Sequence, residues 1–500
     1  MTAPQSDSPT DEQLLEKLGY RQELARRMSA FSNFAISFSI ICILAGGITS
    51  FHLGLASVGG ASVGIGWPLV TLFALVVAAT MGQVASAFPT AGGLYHWASI
   101  LGGRGWGWAT AWFNLGGLVM VAAAINSGTY HFAFDSLGLP KSFTTQVLFL
   151  TGITAIQAIL NHRGIRVTTI LTDFSGYWIL VISMLLTVSL FAWAPGWDWN
   201  RLVTFTNLSG LPSGEELSPV VPANESLLWL FAFSLMLPAY TLTGYDASAH
   251  VSEETRNAER SVPRGIVQSV LISGIAGWIM LIAIMLAIPD LRDAANQGSG
   301  AVVWTLRNVL PQPLALGLLL AIILAQYLCG LATITSASRM TYAFARDGGL
   351  PASRWLATVS PIRKTPGPAI WTVAIAIIAF TLYTPVYDTI ALVCTIFLYV
   401  SYVLPTALGF LAHGKRWNHF GPWNLGRWYR PLAGIAVLGC GGLIVLGMQP
   451  PNEKAGTTLA IAIGLLVLGW FGYARRHFPG PPVSLLKAEH ESANPENRQL

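Results

Sequence analysis

The sequence is short of charge. Of its 500 residues only 10% are Asp, Glu, Lys or Arg, against roughly 25% in a soluble domain. The charges are also kept apart: none occurs from Met28 to Gly103, from Gly105 to Phe134 or from Gly265 to Pro289. Such stretches exclude an ordinary water-soluble fold and suit a bilayer, which a helix crosses with about 20 apolar residues. Catalytic patterns are missing too. The nine histidines are scattered without an H-x-x-x-H pair, and no nucleophile–base set or cluster of carboxylates stands out. No enzyme activity, cofactor or metal is therefore expected. Cysteine is scarce, and Cys42, Cys329, Cys394 and Cys440 all fall in apolar runs. They fit buried hydrophobes better than a disulfide or metal framework. The first 16 residues are polar and acidic and lack the basic region of a secretory signal, so membrane insertion is expected to start with the first apolar segment.

What is present is a series of apolar segments. The composition is 53% hydrophobic with 50 Gly and 18 Trp, and the mean hydropathy is +0.56. Gly permits close helix packing and Trp suits membrane interfaces. Twelve spans are expected, at residues 30–55, 63–87, 107–130, 143–161, 168–193, 226–250, 265–288, 312–338, 367–384, 389–411, 431–448 and 456–474. With the N-terminus inside, only Lys141, Arg201, Arg292, Arg307 and Lys454 of the 28 basic residues fall on the far side. The positive-inside rule favours that orientation, with both termini cytoplasmic and an even number of spans. The expected organisation is an N-terminal tail (1–29), a ten-helix core (30–411, its halves 30–193 and 226–411), two further helices (412–474) and a C-terminal tail (475–500) whose end is disordered.

Two spans are irregular. The first carries Leu44-Ala45-Gly46-Gly47-Ile48-Thr49-Ser50 near its middle, and the sixth carries Leu237-Pro238 through Gly244-Tyr245-Asp246. Gly pairs and Pro weaken a helix, and irregular backbone at membrane depth survives only against protein or a wet cavity. Breaks at matching places in two five-span halves point to an inverted-repeat transporter with its site at the midplane. Close packing at Gly is the alternative. A broken helix offers free N–H groups on one side and free carbonyls on the other. A zwitterion fits there, with its carboxylate near the amides of Gly46, Gly47 and Ile48 and its ammonium near the carbonyls of Ile43, Leu44, Ala239 and Tyr240. Tyr240 is a candidate lid.

Few ionisable groups lie within spans. Asp246 follows the second break and is a candidate to carry a proton or to pair with Arg26 or Arg27 at a gate. Asp173 lies nearer an interface. Thr333, Thr335 and Ser336, in a stretch that also holds Gln326 and Tyr327, are candidates to hold a cation, and Asn114 and Asn126 are weaker ones. Tyr240, Tyr245, Trp112, Phe231 and Phe233 could form an aromatic cage for a quaternary ammonium, although aromatics make up 11% of the chain. A channel would want a ring of charge or repeated carbonyl loops, which twelve dissimilar spans do not supply.

Several junctions carry a resemblance. They are LGYRQELARRMSAFSNF at 18–34, FPTAGGLYHWA at 88–98, GYDASAHVSEE at 244–254 and ASRMTYAFARDGGLP at 337–351. Together they resemble the amino acid permeases of the amino acid–polyamine–organocation superfamily, above all its amino acid/choline branch, which includes GABA and choline permeases. The resemblance covers about residues 14–470. It implies an all-α membrane protein with twelve transmembrane helices: a five-plus-five inverted-repeat fold with broken helices one and six, plus two peripheral helices. It places substrate contacts on Gly46, Gly47, Ile48 and on Ala239, Tyr240, Thr241, Leu242 and Thr243. It gives Gly92 and Gly93 a tight turn, and Arg346 and Asp347 a pinning role. Span five departs from some proton-coupled relatives in having no Lys or Arg after Arg166. Proton, sodium and exchange mechanisms therefore stay open. The expected function is a secondary active transporter for an amino acid or small amine such as GABA, working by alternating access, with choline or polyamine transport and amino acid exchange as alternatives. A channel or a membrane enzyme is the distant rival.

Overall fold

An apolar chain in lipid must satisfy its backbone within itself, and helices do so. The computed structural model describes residues 10–213, 218–383, 387–450 and 452–482, and is all-helical, with no strand among the described residues. Among the described residues, ten helices are long and apolar enough to cross a membrane: Ala30–Gly47, Ser62–Ala87, Arg104–Leu137, Phe143–His162, Ile165–Trp193, Ala258–Ala287, Gln312–Arg346, Thr389–Ala412, Gly426–Gly447 and Glu453–His477. The sixth and ninth expected places hold shorter apolar helices, Leu227–Thr241 and Gly367–Tyr383. The sixth is cut short by its interruption, and the expected end of the ninth, Thr384, falls outside the described residues. Several helices overrun their expected ends, the third reaching Arg104–Leu137 and the eighth Gln312–Arg346. An apolar count stops at the first charge, whereas the helix continues through it.

We label the main helices α1 (Ala30–Ile41), α2 (Phe51–Val58), α3 (Trp67–Ala87), α4 (Leu94–Gly102), α5 (Arg104–Leu137), α6 (Phe143–His162), α7 (Ile165–Trp193), α8 (Leu227–Ser234), α9 (Met236–Thr241), α10 (Ala247–His250), α11 (Ala258–Ala287), α12 (Gln312–Arg346), α13 (Gly367–Tyr383), α14 (Tyr387–Ala412), α15 (Tyr429–Gly447) and α16 (Glu453–Gly469). Helix α1 is enclosed by α7, α11 and α12, while α5 lies between α12 and α14. The outer surface is apolar. On α7, Ile170, Phe174, Tyr177, Val181, Met184 and Val188 are exposed at three- and four-residue spacing, a stripe that acyl chains can cover. The interior is polar by comparison. Asn126 donates to Thr154 Oγ1 (3.0 Å) and Gln157 Oε1 (2.9 Å), and Gln157 Nε2 donates to the Tyr327 carbonyl (3.0 Å). These bonds tie α5, α6 and α12 together, giving Asn126 a packing role.

The two ends of the bundle differ. At one end Tyr20 donates to Asp347, Arg26 to the Ser252 carbonyl, and Arg104 to the Phe478 carbonyl. The described N- and C-terminal parts therefore share an end. At the other end Arg201 donates to the Met285 and Ile288 carbonyls, Arg307 to the Ser136 carbonyl, and Lys141 pairs with Asp135.

Candidate functional site

The first interruption falls at Cys42, where φ is 15° and ψ 90°, and the chain then makes one widened turn over Ile43–Gly47. The break thus precedes the glycine pair, which lies inside the loosened turn. The N–H groups of Ala45 and Gly46 both donate to the Cys42 carbonyl (2.8 and 3.0 Å), and that of Ile48 donates to the Ala45 carbonyl. The expectation that the Gly46 and Ile48 amides stand free is therefore corrected for this conformation: a widened turn shares acceptors rather than abandoning them. Helix α12 satisfies the carbonyls. Cys329 Sγ donates to Ile40 O (3.3 Å), and Gln326 Nε2 donates to Leu44 O (3.2 Å).

The second interruption separates α9 from α10. Leu242 leaves helical geometry (φ −86°, ψ 35°), and Gly244 takes φ +88°, a region open to glycine. A Cβ on Gly244 would lie 2.3 Å from Ile40 Cγ2, so the backbone runs directly against α1. The Gly244 N–H donates to the Tyr402 hydroxyl of α14 (2.9 Å). Here too the expected carbonyls are occupied, with Tyr399 donating to Ala239 O (3.3 Å) and Thr243 Oγ1 to Tyr240 O (2.7 Å). The two interruptions touch, since a Cβ on Gly46 would lie 3.0 Å from Thr241 Cα.

All ten expected contact residues, Ile43, Leu44, Gly46, Gly47 and Ile48 with Ala239 to Thr243, are buried, but they do not all converge. Gly47 faces Trp67, Met280 and Leu281, and Ile43 packs where Gly277 of α11 leaves room. Gly46 and Thr241 sit at the crossing, with Tyr240 next to Thr241 in the chain, while the Leu44 carbonyl faces Gln326 of α12. The Tyr240 ring meets Tyr387 edge-on at 6.4 Å, and the Tyr387 and Thr49 hydroxyls are 2.6 Å apart. Nothing local marks Tyr387 in the sequence. The other aromatic candidates are paired elsewhere: Trp112 with Phe344, Phe231 with Phe205, Phe233 with Trp229, and Tyr245 with Tyr402. A cage assembled from that set is not present.

Asp246 is fully buried and holds three partners. Asn114 Nδ2 donates to Oδ2 (2.8 Å), the Tyr402 hydroxyl to Oδ1 (2.7 Å), and His250 Nε2 lies 3.2 Å from Oδ2. The expected pairing with Arg26 is not formed. Arg26 instead bonds Gln22, the Ser252 and Thr255 carbonyls and, at 3.8 Å, Asp11. The peptide carbonyls around residue 252 reach the guanidinium first. Asp173 accepts a hydrogen bond from Ser32 (3.1 Å). The hydroxyls of α12 do not converge. Thr333 bonds the Cys329 carbonyl of its own helix, and Thr335 bonds Asn161 of α6 (2.7 Å). Ser336 Oγ is buried with no partner among the described residues.

Below the second interruption lies a charged cluster. Arg346 makes two bonds to Glu253 (3.0 and 2.8 Å), and Arg339 makes two to Glu254 (3.0 and 3.2 Å). Burial alone would raise the Glu253 pKa, but the charge and hydrogen bonds of Arg346, with the Ala91 N–H, outweigh it and hold the pKa below the usual value. Asp347 accepts from Tyr20 (2.8 Å), Tyr95 (2.8 Å) and His96 (3.0 Å). Burial again acts upward, and His96 with Arg346 and Tyr95 brings the Asp347 pKa below normal. Gly93 takes φ +48° and packs 3.2 Å from Ala249 and His250, measured from a Cβ built on it. The turn after α3 is thereby pressed against α10.

The arrangement is two touching helix interruptions with an acid held beneath one of them, inside a bundle of membrane-length helices. Comparison with known proteins agrees in kind. Amino-acid permease BAT1 of Arabidopsis thaliana is 31% identical, the alignment covering 94% of this chain and 96% of that one. Its homolog in Oryza sativa subsp. japonica is 32% identical, with 94% and 95% covered. The GABA-specific permease of Saccharomyces cerevisiae is 26% identical, with 97% and 88% covered. Residues 28–471 match the amino acid permease family. The chain is a multi-pass membrane protein and belongs to that family.

Proposed function

We propose that this permease is a secondary active transporter that moves an amino acid, or a related small amine such as GABA, by alternating access. The observation that carries the reading is the contact between the two interrupted helices at Gly46 and Thr241. Two non-helical segments meeting inside the bundle give a small zwitterion backbone groups of both polarities without a charged side chain. In the conformation described, those groups are bonded to the protein itself. Binding then exchanges the Gln326–Leu44, Tyr399–Ala239 and Gly46–Cys42 bonds for bonds to substrate, which suits a closed state that opens to load. Gly46, Gly47, Ile48, Ile43, Leu44 and residues 239–243 form the proposed site, with Tyr240 and Tyr387 as its aromatic wall.

The organisation proposed with it is twelve spans, with residues 30–193 and 226–411 as inverted halves and two peripheral helices after them. The end bearing Tyr20, Arg26, Arg346 and Phe478 faces the cytoplasm of a cell membrane, which places most basic residues inside. A coupled proton or cation supplies the driving force. The relatives named for amino acids and for GABA set the substrate panel.

The test is uptake by purified protein in proteoliposomes, using labelled amino acids, GABA, choline and putrescine under imposed proton or sodium gradients. Saturable uptake of an amino acid or GABA, with counterflow, is expected. Uptake of choline or putrescine alone would replace the substrate class, and flux that does not saturate would remove the carrier mechanism.

A further inference from the structure

We infer that Asp246 and His250 share a single proton and that this pair binds and releases the proton coupled to transport. The inference rests on the permease reading and extends it to the driving ion. His250 Nδ1 lies 3.2 Å from the Ala91 carbonyl oxygen. A carbonyl only accepts, so Nδ1 carries a proton. Nε2 lies 3.2 Å from Asp246 Oδ2. A bare ring nitrogen facing a bare carboxylate would oppose two lone pairs, so a second proton lies between them. The pair is then imidazolium–carboxylate or imidazole–carboxylic acid, and in both forms its net charge is zero. Both side chains are fully buried. Losing the shared proton strands a negative charge in a low-dielectric interior, and gaining another strands a positive one. Exchange is therefore costly until one side opens to water.

The surroundings are compatible with this role. From α5 the pair meets the Asn114 amide, which also donates to the Ser401 hydroxyl of α14, and from α14 it meets the Tyr402 hydroxyl. Tyr245, on the pair's own segment, has its ring 5.0 Å from that of Tyr402. The Ala91 turn brings Glu253, whose Oε1 accepts from the Ala91 N–H (3.1 Å), and Glu253 is neutralised by Arg346 of α12. Near Ala91, His96 is occupied by Asp347. Among the described residues, the only ionic partner of Asp246 is His250.

The pair also has a mechanical connection to the interrupted helix. The Tyr402 hydroxyl donates to Asp246 Oδ1 and accepts from the Gly244 N–H, which lies in the unwound stretch next to Thr241–Thr243. A bare carboxylate holds that hydroxyl more strongly than a neutral acid does. The position of the proton is therefore felt at the backbone of the proposed substrate site. In each cycle the shared N–H or O–H bond breaks, the proton passes to water on the open side, and the pair goes from neutral to singly negative. Reprotonation from the other side restores it.

The experiment reconstitutes the wild-type protein, Asp246→Asn, His250→Gln and Tyr402→Phe in proteoliposomes with labelled amino acids and GABA. Under an inward proton gradient the wild type is expected to accumulate substrate above equilibrium. Asp246→Asn and His250→Gln are expected to fall to the equilibration level while still exchanging substrate, more slowly, against a preloaded pool. Tyr402→Phe is expected to accumulate less at the same gradient. Proton-driven accumulation by both Asp246→Asn and His250→Gln at the wild-type level would overturn the inference, as would wild-type accumulation driven by sodium alone. If the wild type moves none of these compounds, the substrate reading fails separately, and infrared titration of the purified protein decides the proton question. A titrating carboxyl or imidazole band of the wild type that both Asp246→Asn and His250→Gln remove or displace supports the pair. A wild-type spectrum in which neither a carboxyl nor an imidazole band titrates, or a titration that both variants leave unchanged, rules it out.

Discussion

The two interrupted helices are fastened by different chemistry. At Cys42 the loosened backbone is held by neutral groups of α12, the Gln326 amide and the Cys329 thiol. At Gly244 it is held through Tyr402 to a buried acid, and the segment that follows runs into Glu253 and Glu254 with their two arginines. The first interruption can thus change shape without moving charge, whereas the second is tied to groups whose charge depends on protons. On the function proposed above, this division gives the first the role of a scaffold for substrate and the second that of the point at which the coupled proton acts. The geometry around the glycines differs in the same sense. Gly244 has neither the dihedral freedom nor the space for a side chain, Gly46 lacks space alone, and Gly47 has ordinary contacts at 3.8–3.9 Å.

That gradation sets the largest expected effect. Gly244→Ala combines a left-handed backbone, costing an L residue roughly 1–2 kcal/mol, with overpacking against Ile40, typically about 1–3 kcal/mol. It is expected to abolish folded protein in fluorescence-detected gel filtration. Gly46→Ala, whose Cβ meets the Thr241 backbone at 3.0 Å, is expected to fold with a lowered melting temperature and reduced uptake, and Gly47→Ala to keep the wild-type melting temperature. Equal behaviour at positions 46 and 47 would dissolve the proposed crossing. A leucine at position 46 would wedge the two interruptions apart, so its loss of uptake would report packing as much as substrate access.

Much of this was legible in the sequence because it is local. Charge-free runs announce the helices, and Gly46-Gly47 and Pro238 through Gly244 announce the interruptions, the first only to within a turn. The partners that hold the interruptions were not legible, because they are remote. Gln326 is 282 residues from Leu44, and Tyr402 is 156 from Asp246. His250 is different. It stands four residues after Asp246, a spacing that places two side chains on one helical face, and that signal was available. The expected link from Asp246 to Arg26 failed because a guanidinium at a helix end finds peptide carbonyls nearer than a buried acid. The hydroxyls of α12 looked like a set in the sequence, yet residues 333 and 335 point to different neighbours, as positions two apart on a helix must.

The second expected effect separates the interruptions by pH. The pKa values of Glu253 and Asp347 are both held below normal. A carboxylate whose folded pKa is depressed adds stability above its unfolded pKa and loses that contribution as the pH falls through the folded one. The melting temperature in detergent is therefore expected to hold near neutrality and to drop as the pH falls below the ordinary carboxylate range. Arg346→Gln removes the charge opposing the burial of Glu253. Its melting temperature should be lower at neutral pH, and its acid-induced drop should be smaller, because Glu253 then has no depressed pKa whose stabilisation can be lost. An acid profile unchanged by Arg346→Gln would mean that the cluster is not what fastens this end.

The smallest expected effect belongs to the first interruption, and its size follows from a partial cancellation. Gln326→Leu deletes the hydrogen bond to the Leu44 carbonyl, a contribution of about 0.5–1.5 kcal/mol. It also deletes Gln326 Oε1, a buried oxygen that finds no donor among the described residues, and that removal offsets part of the loss. A near-isosteric apolar side chain keeps the packing between α12 and the widened turn. The melting temperature should fall only slightly, and by the same amount at every pH, because no titrating group is involved. If Leu44 also takes part in binding, as proposed, the freed carbonyl should raise affinity for the substrate ammonium, seen as a lower KM for uptake at little cost in stability. A fall that grows toward acid pH would instead mean that the first interruption senses the proton state of the second, and the division of labour between them would be lost.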